Sequence, residues 1–235
     1  MEDRFLNQKG LIDEKKLAET KFVVVGAGAI GSFFTVNLSK MGARAMTVYD
    51  HDTLEDHNIA NQLFPLHYVG NNKAEALKTV SLSYGECEIR PINQKWTPEN
   101  AEQADIVVSA VDNMDVRKAI WDYYKGKCKF FVDGRMAALF YRVYGIDMSN
   151  AEAINFYEST LYPQKEAMPE RCGHKSIIYT VGMVSGEMGA QVRDWIMGLY
   201  RPSETLYDAL NRRCQTKYHM KPNYEVIEEE ETVEV

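Results

Sequence analysis

The chain has little cysteine. Its four, Cys87, Cys128, Cys172 and Cys214, include no Cys-x-x-Cys pair. That spacing excludes a cysteine-built zinc site, and the four read as free thiols of a reducing compartment. No apolar run approaches the roughly 18 residues of a membrane span, and Met1-Glu2-Asp3-Arg4 opens no charged-then-apolar targeting pattern. Basic residues are in deficit: 27 Lys and Arg face 34 Asp and Glu, a net charge of −7. That balance argues against nucleic acid as a partner. Histidine is scarce as well. His51 and His57 share no metal-ligand spacing with another His or Cys, so they read as surface or supporting groups. The expectation is a soluble, cytoplasmic protein without a membrane partner.

What is present is 45% hydrophobic sequence over 235 residues, enough for one α/β domain with a sizeable core. That domain is expected over residues 1–220. Residues 221–235 form an acidic tail, in which Glu225 to Val235 carries six acids and no base. Such a segment reads as solvated and disordered, or else as an acidic docking strand for a partner.

The strongest motif starts at Val23-Val24-Val25. This β-branched run ends in Gly26-Ala27-Gly28-Ala29-Ile30-Gly31, a Gly-x-Gly-x-x-Gly turn, and apolar residues with helical spacing follow. A second apolar stretch, Ala45 to Tyr49, stops on Asp50. This is the pattern of a nucleotide-binding strand–loop–helix–strand unit. Gly26 permits the tight turn, Gly28 admits a phosphate to backbone N–H groups, and Gly31 lets helix and strand pack closely. The helix N-terminus adds roughly half a positive charge there. Asp50 has the offset of a ribose-binding acid.

The periodicity predicts helices over Leu11–Glu19, Ala29–Met41, Lys73–Tyr84, Val116–Tyr124, Ile177–Tyr200 and Ser203–Arg213, the last capped by Ser203. It predicts strands over Phe22–Val25, Met46–Tyr49, Glu88–Ile92, Ile106–Ala110 and Phe130–Val132. Two longer antiparallel strands follow, Ala137–Asp147 and Ala153–Tyr157. Asp52 to Tyr68 and Thr160 to Gly173 read as loops. The fold class is therefore α/β: a Rossmann-like mixed sheet with a parallel N-terminal half and an antiparallel C-terminal half.

A bare glycine fingerprint favours a dinucleotide-binding oxidoreductase. Three features point elsewhere. Asp50-His51-Asp52 supplies a second acid, with Asn58, Asn61 and Gln62 downstream. Lys73 opens a helix after Asn72, against the helix dipole, which makes sense if its ammonium faces a phosphate. Ser109-Ala110-Val111-Asp112-Asn113, with Arg117 a turn on, places a carboxylate at a strand's carboxyl end, where it could hold Mg²⁺.

Together these motifs, from Arg4 to about Gly198, resemble the ThiF/MoeB/HesA family, which activates ubiquitin-like proteins. The resemblance implies adenylation of a C-terminal glycine carboxylate by ATP and Mg²⁺, on a ubiquitin-like or sulfur-carrier partner, by a homodimer. It assigns ribose to Asp50, phosphates to Asn58 and Lys73, and the metal to Asp112. Ala29, Asp52, Asn61, Gln62, Asn113 and Arg117 complete the expected nucleotide contacts.

The chain carries Asn7 and Asn61 where many members carry arginines. Arg135, in Asp133-Gly134-Arg135-Met136, is the expected substitute, facing the phosphates; the alternative is a pairing with Asp133. That segment resembles the phage and bacterial ThiF-like branch without zinc cysteines. Cys172, between Arg171 and His174, is either an acyl-accepting thiol or a bystander. Gly182, Gly186 and Gly189 suggest close subunit packing. The expected catalytic set is thus Asp112, Arg135 and Cys172. An NAD-dependent oxidoreductase, a non-catalytic nucleotide-binding scaffold and ATP-driven modification of a tRNA base are the competing readings.

Overall fold

The structure is a computed structural model, and it describes residues 4–167 and 176–219. One eight-stranded sheet organises them, in the order β3-β2-β1-β4-β5-β6-β7-β8. Strands β1 (Lys21–Val25), β2 (Ala45–Tyr49), β3 (Glu88–Ile92), β4 (Ile106–Ser109) and β5 (Phe130–Ala137) pair in parallel. Strands β6 (Phe140–Asp147), β7 (Glu204–Asp208) and β8 (Arg213–Lys217) continue from β5 as an antiparallel meander. The mixed sheet is thus observed as expected.

Helices cover both faces. α1 (Glu14–Glu19), α2 (Ala29–Met41), α3 (Lys73–Leu82) and α6 (Ile178–Met197) pack on one; α4 (Met114–Tyr124) and α5 (Ala151–Glu158) pack on the other. The alternation of β1 explains the two layers. Phe22 and Val24 point into the first core, Val23 and Val25 into the second. β4 is buried throughout, as a parallel strand covered on both sides must be.

Two expectations need correction. The segment predicted as a strand over Ala153–Tyr157 is α5. Asn150 caps it by accepting the Ala153 N–H, and Ala153 and Tyr157, one turn apart, are its buried face. The segment predicted as a helix over Ser203–Arg213 is the β7–β8 hairpin. Ser203 caps nothing: its N–H donates to Lys217 O (2.7 Å), and its carbonyl accepts the Gly145 N–H. Pairing with β6 decides this stretch over its local pattern. Strand β5 also runs on to Ala137, past the expected end at Val132.

Within the chain, a Cβ on Gly189 would stand 3.7 Å from Met41 Sδ of α2, an ordinary contact, whereas Gly182 and Gly186 meet open space. Cys87 and Cys128 are buried thiols, each pushed up to about 12 by burial. The stretches around Cys172 and over 221–235 lie outside the described residues.

Candidate functional site

The site lies where strand order reverses. β1 pairs with β2 on one side and β4 on the other, so their carboxyl ends, at Val25, Tyr49 and Ser109, are level. Helices leave this edge in opposite directions and open a crevice. Gly26 turns the chain there with φ of +98°, and a Cβ at this position would stand 2.6 Å from the Ala110 carbonyl oxygen. A Cβ on Gly31 would overlap the Gly26 carbonyl at 1.9 Å. Glycine is required at both positions by close backbone approach. Gly28 differs, since a Cβ there meets nothing within 4 Å.

Gly28 also N-caps α2 without a side chain, whereas Asp13, Asn72, Asn113 and Asn150 cap α1, α3, α4 and α5 with theirs. The first turn of α2 therefore has no capping side-chain acceptor, which suits a phosphate.

Asp50 follows β2. Its carboxylate accepts the Ala27 N–H (2.7 Å) and the Asp52 N–H (2.8 Å), fixing it beside the glycine turn. Burial raises its pKa against the effect of those two N–H groups. Asp52 goes the other way. Its hydrogen bond from Lys73 Nζ, at 2.8 Å, holds its carboxyl below the usual range. Lys73 is buried and its backbone N–H donates to Asp52 O, so two strands of backbone bring the pair together. Asn72 completes the junction, placing its Nδ2 at 3.0 Å from both the Asp50 and Asp52 carbonyls and 2.9 Å from Asn93 Oδ1. The sequence marks Asn72 only as a helix cap; its second role depends on contacts across the fold.

Asp112 sits beyond β4 with an exposed carboxylate that makes no hydrogen bond or ion pair among the described residues. A free carboxylate oxygen at this edge is a donor suited to a hard divalent cation. Asn113 is committed to α4, accepting the Asp115 and Val116 N–H groups.

The loop residues are less available. Asn58 accepts the Glu55 N–H inside its own turn. Asn61 donates from Nδ2 to Ser176 Oγ. Asn61 Oδ1 and Gln62 Oε1 are buried without a partner, next to Leu63, whose N–H donates to Ser32 Oγ in the first turn of α2. The backbone just after Gln62 therefore meets the first turn of α2.

Arg117 and Arg135 depart from the expectation. Both turn to Asp133 on β5. Arg117 Nε lies 2.8 Å and Arg135 Nε 2.7 Å from its carboxylate, and Tyr157 Oη donates to it at 3.0 Å. Burial would raise the Asp133 pKa, but the two guanidinium groups more than offset this and hold it below the usual range. Arg135 also donates to the Thr160 carbonyl and hydroxyl and lies over the Tyr144 ring. The arrangement therefore corrects the expectation that Arg135 faces the phosphates. A fully buried aspartate competes for it at shorter range. The sequence offers Asp133 as one of two partners for Arg135; its bonds to Arg117 and Tyr157 depend on contacts across the fold.

The strand order, the glycine turn and the edge carboxylates define a nucleotide-binding α/β domain of Rossmann type. The ThiF family model matches residues 3–226, and the chain belongs to that family. Among curated relatives, it is 33% identical over 122 residues to tRNA threonylcarbamoyladenosine dehydratase 2 of Saccharomyces cerevisiae, covering 46% of this chain and 26% of that protein. It is 32% identical over 122 residues to adenylyltransferase and sulfurtransferase MOCS3-1 of Zea mays, covering 48% and 25%. The chain thus spans about a quarter of these relatives. Among solved structures, E. coli MccB with succinimide superposes with a TM-score of 0.76 at 16% identity, covering 95% of this chain and 73% of MccB. PaaA superposes with a TM-score of 0.72 at 17% identity, covering 88% and 66%. Among the described residues no helix is long and apolar enough to cross a membrane.

Proposed function

We propose that this protein is an ATP-dependent adenylyltransferase. Its substrate would be the C-terminal glycine carboxylate of a ubiquitin-like or sulfur-carrier protein, and it would act as a homodimer. The observation that carries this reading is the joint placement of Gly28, Lys73 and Asp112 on one sheet edge. A dinucleotide oxidoreductase needs the glycine turn and Asp50 but has no use for a buried lysine or a free carboxylate here. Family membership, and relatives named as adenylyltransferase and SUMO-activating enzyme subunit, support it.

In this reading Asp50 holds the ribose, the α2 N-terminus holds the phosphates, and Lys73 supplies a cation that Asp52 orients. Asp112 would hold Mg²⁺, which neutralises phosphate charge when bound. Asn58, Asn61 and Gln62 border the phosphate side. An oxygen of the substrate carboxylate bonds to the α-phosphorus, the bond to the α–β bridging oxygen breaks, and pyrophosphate leaves with that electron pair. No proton needs to be moved. The site's task is positioning and charge neutralisation. Cys172 would accept the acyl group after adenylation; a Cys172→Ser protein that still forms a reducible adduct would remove that role.

The relative named for a tRNA modification keeps a second substrate class in view, but the net charge of −7 opposes it. The test is ATP–pyrophosphate exchange with a sulfur-carrier protein ending in glycine. Exchange that requires the free C-terminal carboxylate, and that Asp112→Asn abolishes, is expected. Equal exchange with a C-terminal carboxamide would contradict the proposal.

A further inference from the structure

Asp133 is fully buried, yet it serves two arginines and a tyrosine. One carboxylate between two guanidinium groups leaves a surplus positive charge in the interior. Such clusters are seldom better for stability than apolar packing of the same volume. What the arginines reach on their far sides gives the cluster another role. Arg117 donates from Nη2 to the Val111 carbonyl and from Nη1 to Met114 Sδ (3.0 Å), so it grips both ends of the turn that carries Asp112. Arg135 holds Thr160 through its carbonyl (3.0 Å) and hydroxyl (3.1 Å). Four residues on, Gln164 returns to the same turn: its Oε1 accepts the Met114 N–H at 2.7 Å, and its N–H donates to Asp115 Oδ1 at 3.0 Å. The Asp112 turn and the segment beside it therefore share one anchor.

We propose that Arg117, oriented by Asp133, is a positioning residue that holds the Val111–Asn113 turn so that the Asp112 carboxylate is presented to a divalent cation bound with the nucleotide. The proposal rests on the nucleotide reading above and adds to it a role for a residue that never touches the ligand. The geometry requires a fork-shaped donor, because one group must bridge a buried carboxylate and a backbone carbonyl.

The test compares the wild type, Arg117→Gln, Arg117→Lys and Asp112→Asn. Arg117→Gln leaves Asp133 bonded to Arg135 and Tyr157, so no buried charge is stranded. ATP binding is measured by calorimetry in EDTA and in Mg²⁺. Amide hydrogen exchange of the nucleotide-free proteins is followed at Met114, Asp115 and Val116. Mg²⁺ is expected to tighten ATP binding in the wild type. Arg117→Gln loses about tenfold of that gain, Arg117→Lys does not recover it, and Asp112→Asn removes it, with affinity in EDTA within about twofold of wild type for the two Arg117 variants. Exchange at the three amides speeds up about tenfold in Arg117→Gln.

If Arg117→Gln keeps the full Mg²⁺ gain while Asp112→Asn loses it, the positioning role is overturned and the nucleotide reading stands. Unchanged amide exchange, recovery by lysine, or an equal loss in EDTA also overturns the positioning role. Absence of any Mg²⁺ gain in the wild type overturns both.

Discussion

Lys73 and Asp52 illustrate how single residues divide the work. Either alone would be ambiguous, a lysine against a helix dipole or a half-exposed acid. At 2.8 Å the acid holds the ammonium in one place. Lys73→Met is expected to weaken ATP binding about 10–150-fold, the effect of one charge-assisted hydrogen bond of ~1.5–3 kcal/mol. Stability should fall by less than about 1 kcal/mol, since the partner is solvent-screened; calorimetry and urea titration check the two.

Asp133 inverts that pattern, because its loss strands two buried cations. Asp133→Asn should cost ~3–5 kcal/mol in urea unfolding at neutral pH. Its folded pKa lies below its unfolded value near ~3.9. The contribution is therefore complete above ~3.9 and is lost as pH falls through the lower folded value. Below ~3.9 the wild type should lose stability more steeply with falling pH than Asp133→Asn; parallel curves would contradict the pairing. Lys73, Asp50, Asp52 and Asp112 were legible in the sequence because each follows a strand end or opens a helix. The partner of Arg135 was legible only as one of two choices, since a strand's alternation puts Asp133 and Arg135 on one face without saying which way the guanidinium turns.

At the scale of elements, the β1–turn–α2 unit separates glycines that build the fold from one that leaves room for a ligand. Gly31→Ala drives a Cβ into the Gly26 carbonyl at 1.9 Å and should prevent a stable fold. Gly28→Ala meets no atom within 4 Å and should keep the wild-type melting temperature. It should still lose ATP affinity about tenfold or more, because the new methyl occupies the approach of the phosphate to the α2 N-terminus. Circular dichroism paired with nucleotide binding distinguishes the two variants. The elements that sequence patterning misread, α5 and the β7–β8 hairpin, share a cause. Each is short, and its identity is settled by tertiary partners: the Asn150 cap with the Trp121–Tyr157 ring contact for α5, and the β6 ladder for β7. The parallel strands β1 and β4 are no longer, but each is a near-continuous apolar run buried on both faces, a pattern that stands alone.

At the scale of the whole molecule, the mixed sheet joins two halves through β5. Its parallel pairing with β4 aligns Asp133 opposite Ser109, and its antiparallel pairing with β6 starts the second half. The anchor beneath the Asp112 turn therefore sits at the seam. This explains why the fold class could be read from the sequence while the anchor could not: the two sheet halves follow from pattern, but the seam's side chains meet only after the sheet has closed.

The central claim is that this edge binds Mg·ATP. The direct measurement is thermal and chemical stabilisation of the wild type by ATP with Mg²⁺, set against NAD. The account predicts about 2.7 kcal/mol of added stability at a hundredfold excess of ATP over its Kd, with none from NAD and none in excess of EDTA-treated ATP for Asp112→Asn. Stabilisation by NAD without any by ATP would contradict it.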